Sequence, residues 1–429
     1  MKKVELLSPA GSFSKMKYAF QYGAGAVYLG VPDFSLRVRI NEFSEKDILE
    51  AVEYAHNLGK KIYVTLNIYA HNQHLEKVKK HLKFLSKVGV NAVIVSDPGI
   101  INLVKKYLPK TDIHLSTQAN ATNFEAVKFW RDTGVKRIIL AREVSLSEIK
   151  EIRKKVKDIE LEYFIHGAMC MSYSGRCILS KWMNNRSANL GDCTQPCRWE
   201  YEEVGSKNKE VRIKEKLNKY EMDIEEDRHG TYFFNSFDMN LIEYIDELIK
   251  AGVTSFKIEG RAKSAYYVAV ATRAYRKVID AIAQKKSKGE IRKIILEQKK
   301  ELDNLTNRGY WTGFLLGDEP PHNFGGKMKK GSWEFVGEVL NNNVGTDFKS
   351  VQNKLNILKI HNAVFKNDKI EAITPEKNIP VKIVKILNHK KEEVQEAHGG
   401  HEKLYYFEFD KILPKGSLIR RKIVLRTTK

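Results

Sequence analysis

Residues 161–167 read LEYFIHG, an apolar, aromatic run closed by glycine, which is the composition of a buried strand. Six similar runs precede it: VELLS at Val4, AVYLG at Ala26, KIYVTLN at Lys61, AVIVSD at Ala92, DIHLSTQ at Asp112 and RIILARE at Arg137. One follows, SFKIEGR at Ser255. Most intervals are short, roughly 20 to 35 residues, enough for a strand, a turn and a crossover helix. The segments between carry helical periodicity. FSEKDILEAVEYAHNLG has Ser44 to cap its start, apolar Ile48, Val52 and Ala55 on one face, and Gly59 as its stop. Eight such units predict an α/β fold, a (β/α)8 TIM-like barrel, with a doubly wound open sheet as the alternative.

Active sites in such barrels collect at the C-terminal ends of the strands. Those ends hold Ser8, Gly30, Asn67, Asp97, Gln118, Arg142 with Glu143, His166, and Glu259 with Arg261. Each singly fits a local turn or cap; together on one rim they form a candidate site, with Arg142, His166, Glu259 and Arg261 as catalytic candidates and Asn67 and Gln118 as binding ones. The interval after the seventh strand is anomalous. It runs to about 90 residues although one helix, FDMNLIEYIDELIKAG, suffices for the crossover. The excess, residues 168–238, is an insertion on the active-site face, beginning with cysteines and continuing into a charged hairpin or flap. From Trp333 the pattern changes to short β runs separated by turn residues, which predicts a small C-terminal β-barrel at 328–429 behind a catalytic barrel at 1–327.

The 429-residue chain has 42% hydrophobic residues and a formal charge of +21. No apolar run approaches the roughly 18 to 20 residues that span a bilayer, and the N-terminal residues lack a signal-peptide pattern. These features read as a cytoplasmic protein, a setting that disfavours stable disulfides. The charge favours polyanionic partners, RNA first, although a lysine-rich proteome accounts for part of it. Residues 328–429 carry 20 basic and 12 acidic residues, about twice the net charge density of the rest.

All four cysteines, Cys170, Cys177, Cys193 and Cys197, fall within 28 residues, spaced C-x6-C-x15-C-x3-C. Structural zinc usually takes paired C-x2-C knuckles, which this spacing lacks. Iron–sulfur clusters tolerate irregular loops, and Arg176, Lys181, Arg186 and Arg198 nearby suit thiolates and an anionic cluster. A cluster fits best; zinc and free or redox thiols stay open.

EYFIHGAMCMSYSGRCILS resembles the signature of the collagenase-like peptidase family, whose members were labelled proteases of unknown mechanism. With SLRVRINEFS, HLSTQAN, NLGDCTQPCRWEY, EEDRHGTYFFNS, SFKIEGRAKSAYYVA and NRGYWTGFL, it is similar to that family's tRNA uridine hydroxylation branch. The resemblance runs to about residue 316; the C-terminal unit follows the family in outline only. It implies a barrel protein that makes 5-hydroxyuridine at the wobble position of tRNA, requires prephenate and uses an iron–sulfur cluster. Related members that hydroxylate ubiquinone precursors hold four-iron, four-sulfur clusters on four cysteines, and all four thiols here fall at matching places.

A dicarboxylate such as prephenate calls for convergent arginines, for which Arg37, Arg39, Arg142 and Arg261 are the candidates, each equally readable as a surface ion pair. A peptidase is the alternative. The sequence has neither a G-x-S-x-G elbow nor H-E-x-x-H, which leaves Cys170 or Cys177 with His166 as its conceivable machinery. A non-catalytic RNA-binding adaptor would need the basic surface but not the cysteines. The sequence does not set the oligomeric state.

Overall fold

The computed structural model describes residues 4–32, 42–170, 172–199, 201–207, 210–215, 221–224, 226–227, 230–231, 236–317, 328–341, 355–400 and 404–423. Arg37 and Arg39 lie outside them, as does most of EEDRHGTYFFNS. Eight strands form the barrel: β1 (Glu5–Pro9), β2 (Ala26–Gly30), β3 (Lys61–Leu66), β4 (Ala92–Val95), β5 (Asp112–Leu115), β6 (Arg137–Ile139), β7 (Glu160–Ala168) and β8 (Ser255–Ile258). Each pairs in parallel with its successor, and β8 returns to β1 with Ser255 opposite Glu5, so the sheet closes. Helices α1 (Phe13–Gln21), α2 (Glu45–Asn57), α3 (Leu75–Val88), α4 (Pro98–Tyr107), α5 (Phe124–Asp132), α6 (Leu146–Lys155), α7 (Ile245–Lys250) and α8 (Ala265–Ala283) follow their strands, and α9 (Lys288–Asp303) packs on α8.

Local chemistry starts these helices where the periodicity places them. Ser44 and Asp47 cap α2 reciprocally, as Ser145 and Glu148 cap α6. Asp97, at the end of the fourth strand run, accepts from the Ile100 amide at 3.0 Å and serves as the N-cap of α4.

The barrel interior is charged. Arg137 Nη1 donates to Glu5 Oε1 at 2.6 Å and Glu162 Oε2 at 3.0 Å, while Lys257 Nζ donates to Glu162 Oε1 at 2.9 Å. Burial alone would push the Glu162 carboxyl up, but the Lys257 and Arg137 cations outweigh it and hold it below the usual carboxylate range. His114 stacks edge-on to Tyr63, and burial followed by the Arg137 charge pushes its imidazole well below its ordinary value.

Beyond β7 the insertion contributes a three-stranded antiparallel sheet, Tyr201–Lys207, Glu210–Glu215 and Glu221–Ile224, where one hairpin is expected. The C-terminal unit is an eight-stranded antiparallel sheet. Its end strand Asn378–Val381 passes through Lys382 alone into Ile383–Leu387, which pairs near the opposite end of the sheet. A one-residue link between distant strands forces the sheet to curl into a half-barrel, and slips at Val339/Asn341 and Phe335/Gly337 add bend. The core of this unit includes Val336, Leu358, Ile386 and Phe407.

The two units are clamped together. Ile373 and Leu418 join the barrel's core, and Tyr266 of α8 stacks on Phe335 with ring centroids 5.1 Å apart. Arg420, 1% exposed, donates to Glu301 at 3.0 Å and Glu371 at 2.6 Å. Among the described residues no helix is long and apolar enough to cross a membrane.

Arg420→Met strands Glu371, leaves Glu301 with Arg273 as its remaining arginine partner, and is expected to cost about 3–5 kcal/mol in urea denaturation. A loss under about 1 kcal/mol would show that packing alone holds the units together.

Candidate active site

A cavity of about 490 Å³ lies at the C-terminal ends of the strands. The insertion forms one wall of it, with Cys170, Cys177, Cys193 and Cys197; the rim supplies Asn67, Gln118, Arg142, Glu143, Glu259 and Arg261. The roof is pinned at several points. The Ser174 amide donates to Glu143 Oε1 at 2.8 Å, Ser174 Oγ to Asn120 Oδ1 at 2.6 Å, and Arg176 Nε to the Gln118 carbonyl at 2.8 Å. The Tyr69 amide bonds the Asn189 carbonyl at 3.1 Å. The insertion thus sits over the strand C-termini, where its place in the chain predicts it.

The four cysteines are half-buried and free of disulfides. Burial pushes the Cys197 thiol up to about 11; Arg198 opposes this, and the other three cysteines add to it. All four thiols line the same cavity. Among the described residues no three His, Cys, Asp or Glu side chains meet at a point suited to one metal ion. Four thiols in one cavity wall are a donor set that either an iron–sulfur cluster or a tetrahedral zinc ion takes. Backbone amides already serve the segment: Gln195 N–H donates to Cys193 Sγ at 3.4 Å, and Cys177 N–H to Asn189 Oδ1 at 3.2 Å.

Opposite the cysteines the wall is cationic. Arg142 lies 4.0 Å over the Phe164 ring and 3.8 Å from Glu259. Arg261 Nη1 donates to Thr65 Oγ1 at 3.1 Å, and Glu259 accepts from the Tyr28 hydroxyl at 3.3 Å. Lys257 forms the floor between Tyr28 and Phe164, its ammonium 4.4 and 5.5 Å from the ring centroids. Among the described residues the cavity lining as a whole, the cysteine segment included, carries five cations, Arg142, Arg176, Arg198, Lys257 and Arg261, against two carboxylates, Glu143 and Glu259. The excess suits an anionic occupant. Asn67 donates to Ser116 Oγ at 3.4 Å on the same side as Gln118.

His166 is the exception among the expected residues. Strict alternation along β7 turns it inward with Glu162 and Phe164, but the ladder to β8 slips, so that Lys257 pairs with Phe164 and Ile258 with His166. The bulge turns the imidazole outward among Tyr267, Tyr275 and Tyr310. It is 1% exposed, does not line the cavity, and is pushed by burial down to about 3. Its Nδ1 lies 3.4 Å from the Tyr275 hydroxyl and its Nε2 has no partner, so no cysteine–histidine pair of the proteolytic kind forms among the described residues.

Sequence reasoning passed over Tyr28, Thr65, Lys257 and the insertion's Ser174. Lys257 was within reach: it stands two residues before Glu259 in SFKIEG and so shares its face of the strand.

This arrangement defines a (β/α)8-barrel protein with a thiol-lined, cation-rich centre at the mouth. The chain belongs to peptidase family U32: that family's profile matches residues 11–324, and the profile of the U32 C-terminal domain matches residues 331–420. It is 43% identical to "tRNA hydroxylation protein P" of Haemophilus influenzae over 93% of this chain and 92% of that one. It is 39% identical to the "23S rRNA 5-hydroxycytidine C2501 synthase" of Escherichia coli over 66% of this chain and 40% of that protein. It is also 32% identical to a "Collagenase" of Porphyromonas gingivalis over 75% and 76% of the two chains.

In the metal-free protein at pH 8, alkylation of Cys197 by iodoacetamide is expected to run on the order of 100-fold slower than at an ordinary thiol, because burial, pushing the thiol up to about 11, leaves correspondingly less thiolate. Site-resolved mass spectrometry reads this. A rate equal to that of a free thiol would contradict the buried placement.

Proposed function

We propose that this chain is a tRNA-modifying enzyme that hydroxylates C5 of the wobble uridine, with prephenate as cosubstrate and a four-iron, four-sulfur cluster on Cys170, Cys177, Cys193 and Cys197. The observation that carries the reading is that four thiols and five cations share one cavity. Two relatives named for RNA hydroxylation support the substrate class. Replacing C5–H by C5–OH is a two-electron oxidation, which acid–base groups alone do not perform; it needs a second reactant to accept the electrons and give the oxygen, the role this reading assigns to the cosubstrate. When bound, the cluster supplies one-electron chemistry at the cavity wall.

The protein's own groups do the rest. Arg142 and Arg261, with Lys257 beneath them, take the carboxylates of the cosubstrate, since a guanidinium binds a carboxylate through two parallel hydrogen bonds. Glu259 and Tyr28 hold these cations in place. An anticodon uridine is already unpaired and enters without the cost of opening a duplex. Basic residues outside the cavity, including those of the C-terminal unit, hold phosphates. Such a substrate places the protein in the cytoplasm.

Protein purified without oxygen is expected to carry about four irons and four sulfides per chain and to absorb broadly near 400 nm. Stoichiometric zinc in their place would overturn the cluster.

Deletion of the gene is expected to remove 5-hydroxyuridine and its derivatives from tRNA, as read by nucleoside mass spectrometry, and Cys193→Ala should fail to restore them. If the nucleosides are unchanged while cleavage of a collagen substrate is lost, the peptidase reading replaces this one.

A further inference from the structure

Gln118 holds an unusual position. It follows β5 in the cavity wall, is 2% exposed, and neither its amide nitrogen nor its amide oxygen has a hydrogen-bond partner. Its backbone, by contrast, is fixed from three directions: the carbonyl accepts from Arg176 Nε at 2.8 Å and the Tyr69 hydroxyl at 3.5 Å, and the N–H donates to Ser116 Oγ at 3.5 Å. A buried amide with no partner destabilises the fold, because it gives up the hydrogen bonds it makes to water in the unfolded chain and regains none. Folded proteins rarely keep such groups unless a ligand or water meets them. Beside it, Glu143 Oε2 is likewise buried in the cavity wall without a partner, while Oε1 holds Ser174. The amide and carboxylate atoms of the wall that lack a partner, Gln118 Nε2 and Oε1 and Glu143 Oε2, gather where β5 and β6 meet the insertion. Around the barrel this is the side opposite β8, β1 and β2, where Lys257, Arg261 and Tyr28 gather.

We propose that Gln118 is the residue that recognises the target base, and that the cavity is divided: the base lies against Gln118 and Glu143, the carboxylates beside Lys257 and Arg261, toward which Arg142 reaches from the β6 end to within 3.8 Å of Glu259. The inference rests on the RNA-hydroxylase reading. A carboxamide presents one donor beside one acceptor, matching the adjacent N3–H and O4 of uracil: Gln118 Oε1 accepts from N3–H and Nε2 donates to O4. Pairing on that edge leaves C5, on the adjoining edge, facing the open cavity. A rotated amide would match N3 and the 4-amino group of cytosine equally well, so Gln118 selects a pyrimidine edge while the RNA around it selects the site.

The test uses the full chain in the deletion strain, with tRNA nucleosides read by mass spectrometry and melting temperature read on the purified protein. Leucine fills the space of glutamine without polar atoms, so Gln118→Leu is expected to melt at or above the wild-type temperature while 5-hydroxyuridine falls roughly tenfold or more. Gln118→Asn keeps an amide on a shorter stem and should retain a level between the two. Undiminished 5-hydroxyuridine with Gln118→Leu overturns the proposal. So does a melting temperature lowered by several degrees, which would make the amide structural. If the wild-type gene itself restores no 5-hydroxyuridine, the RNA-hydroxylase reading fails and takes this inference with it.

Discussion

Where β7 meets β8 the ladder slips by one residue, skipping Ile165, and the mouth of the barrel is arranged around that slip. Before it, Glu162 and Phe164 point into the barrel; after it, His166 points out and the chain turns at Gly167, whose φ is +110°. A Cβ on Gly167 would lie 2.5 Å from the Glu259 carbonyl oxygen, so only glycine lets the two strands approach this closely. From there Ala168, Met169 and Cys170 enter the cavity wall in succession. The direction in which the cysteine segment crosses the mouth is set at this one irregularity.

The charged interior below the mouth has a related role. Buried ion pairs contribute little net stability once desolvation is counted, but removing one partner is costly. Glu162, fully buried, is held by both Arg137 and Lys257, and Arg137 is tied in turn to Glu5 across the barrel. The arrangement fixes where a cation stands at the cavity floor. An apolar core would be as stable but would leave that position neutral.

The barrel was legible because its signal repeats: eight apolar runs at regular intervals, with caps such as Ser44 and Asp97 between them, outweigh any single misreading. The insertion was legible as an excess of length and the cysteines as a cluster in the sequence. Alternation failed at His166 because a bulge adds a residue without leaving a mark in composition. It also gave no warning that Glu162 and Lys257 lie inside, since charged residues in a strand ordinarily face water and their pairing spans 95 residues of chain. Gln118 was visible as a strand-end residue; that its amide lacks partners is a property of the packed structure alone.

The pairing of Glu5 with Ser255 also bears on the order of events during synthesis. Translation delivers β1 to β7 and then the whole insertion before the strand that joins the two free edges. Until β8 arrives, the sheet has unpaired edges at both ends, the state in which β proteins are most exposed to wrong partners. All four cysteines leave the ribosome during that interval, so the roof of the cavity is made before the barrel beneath it can close.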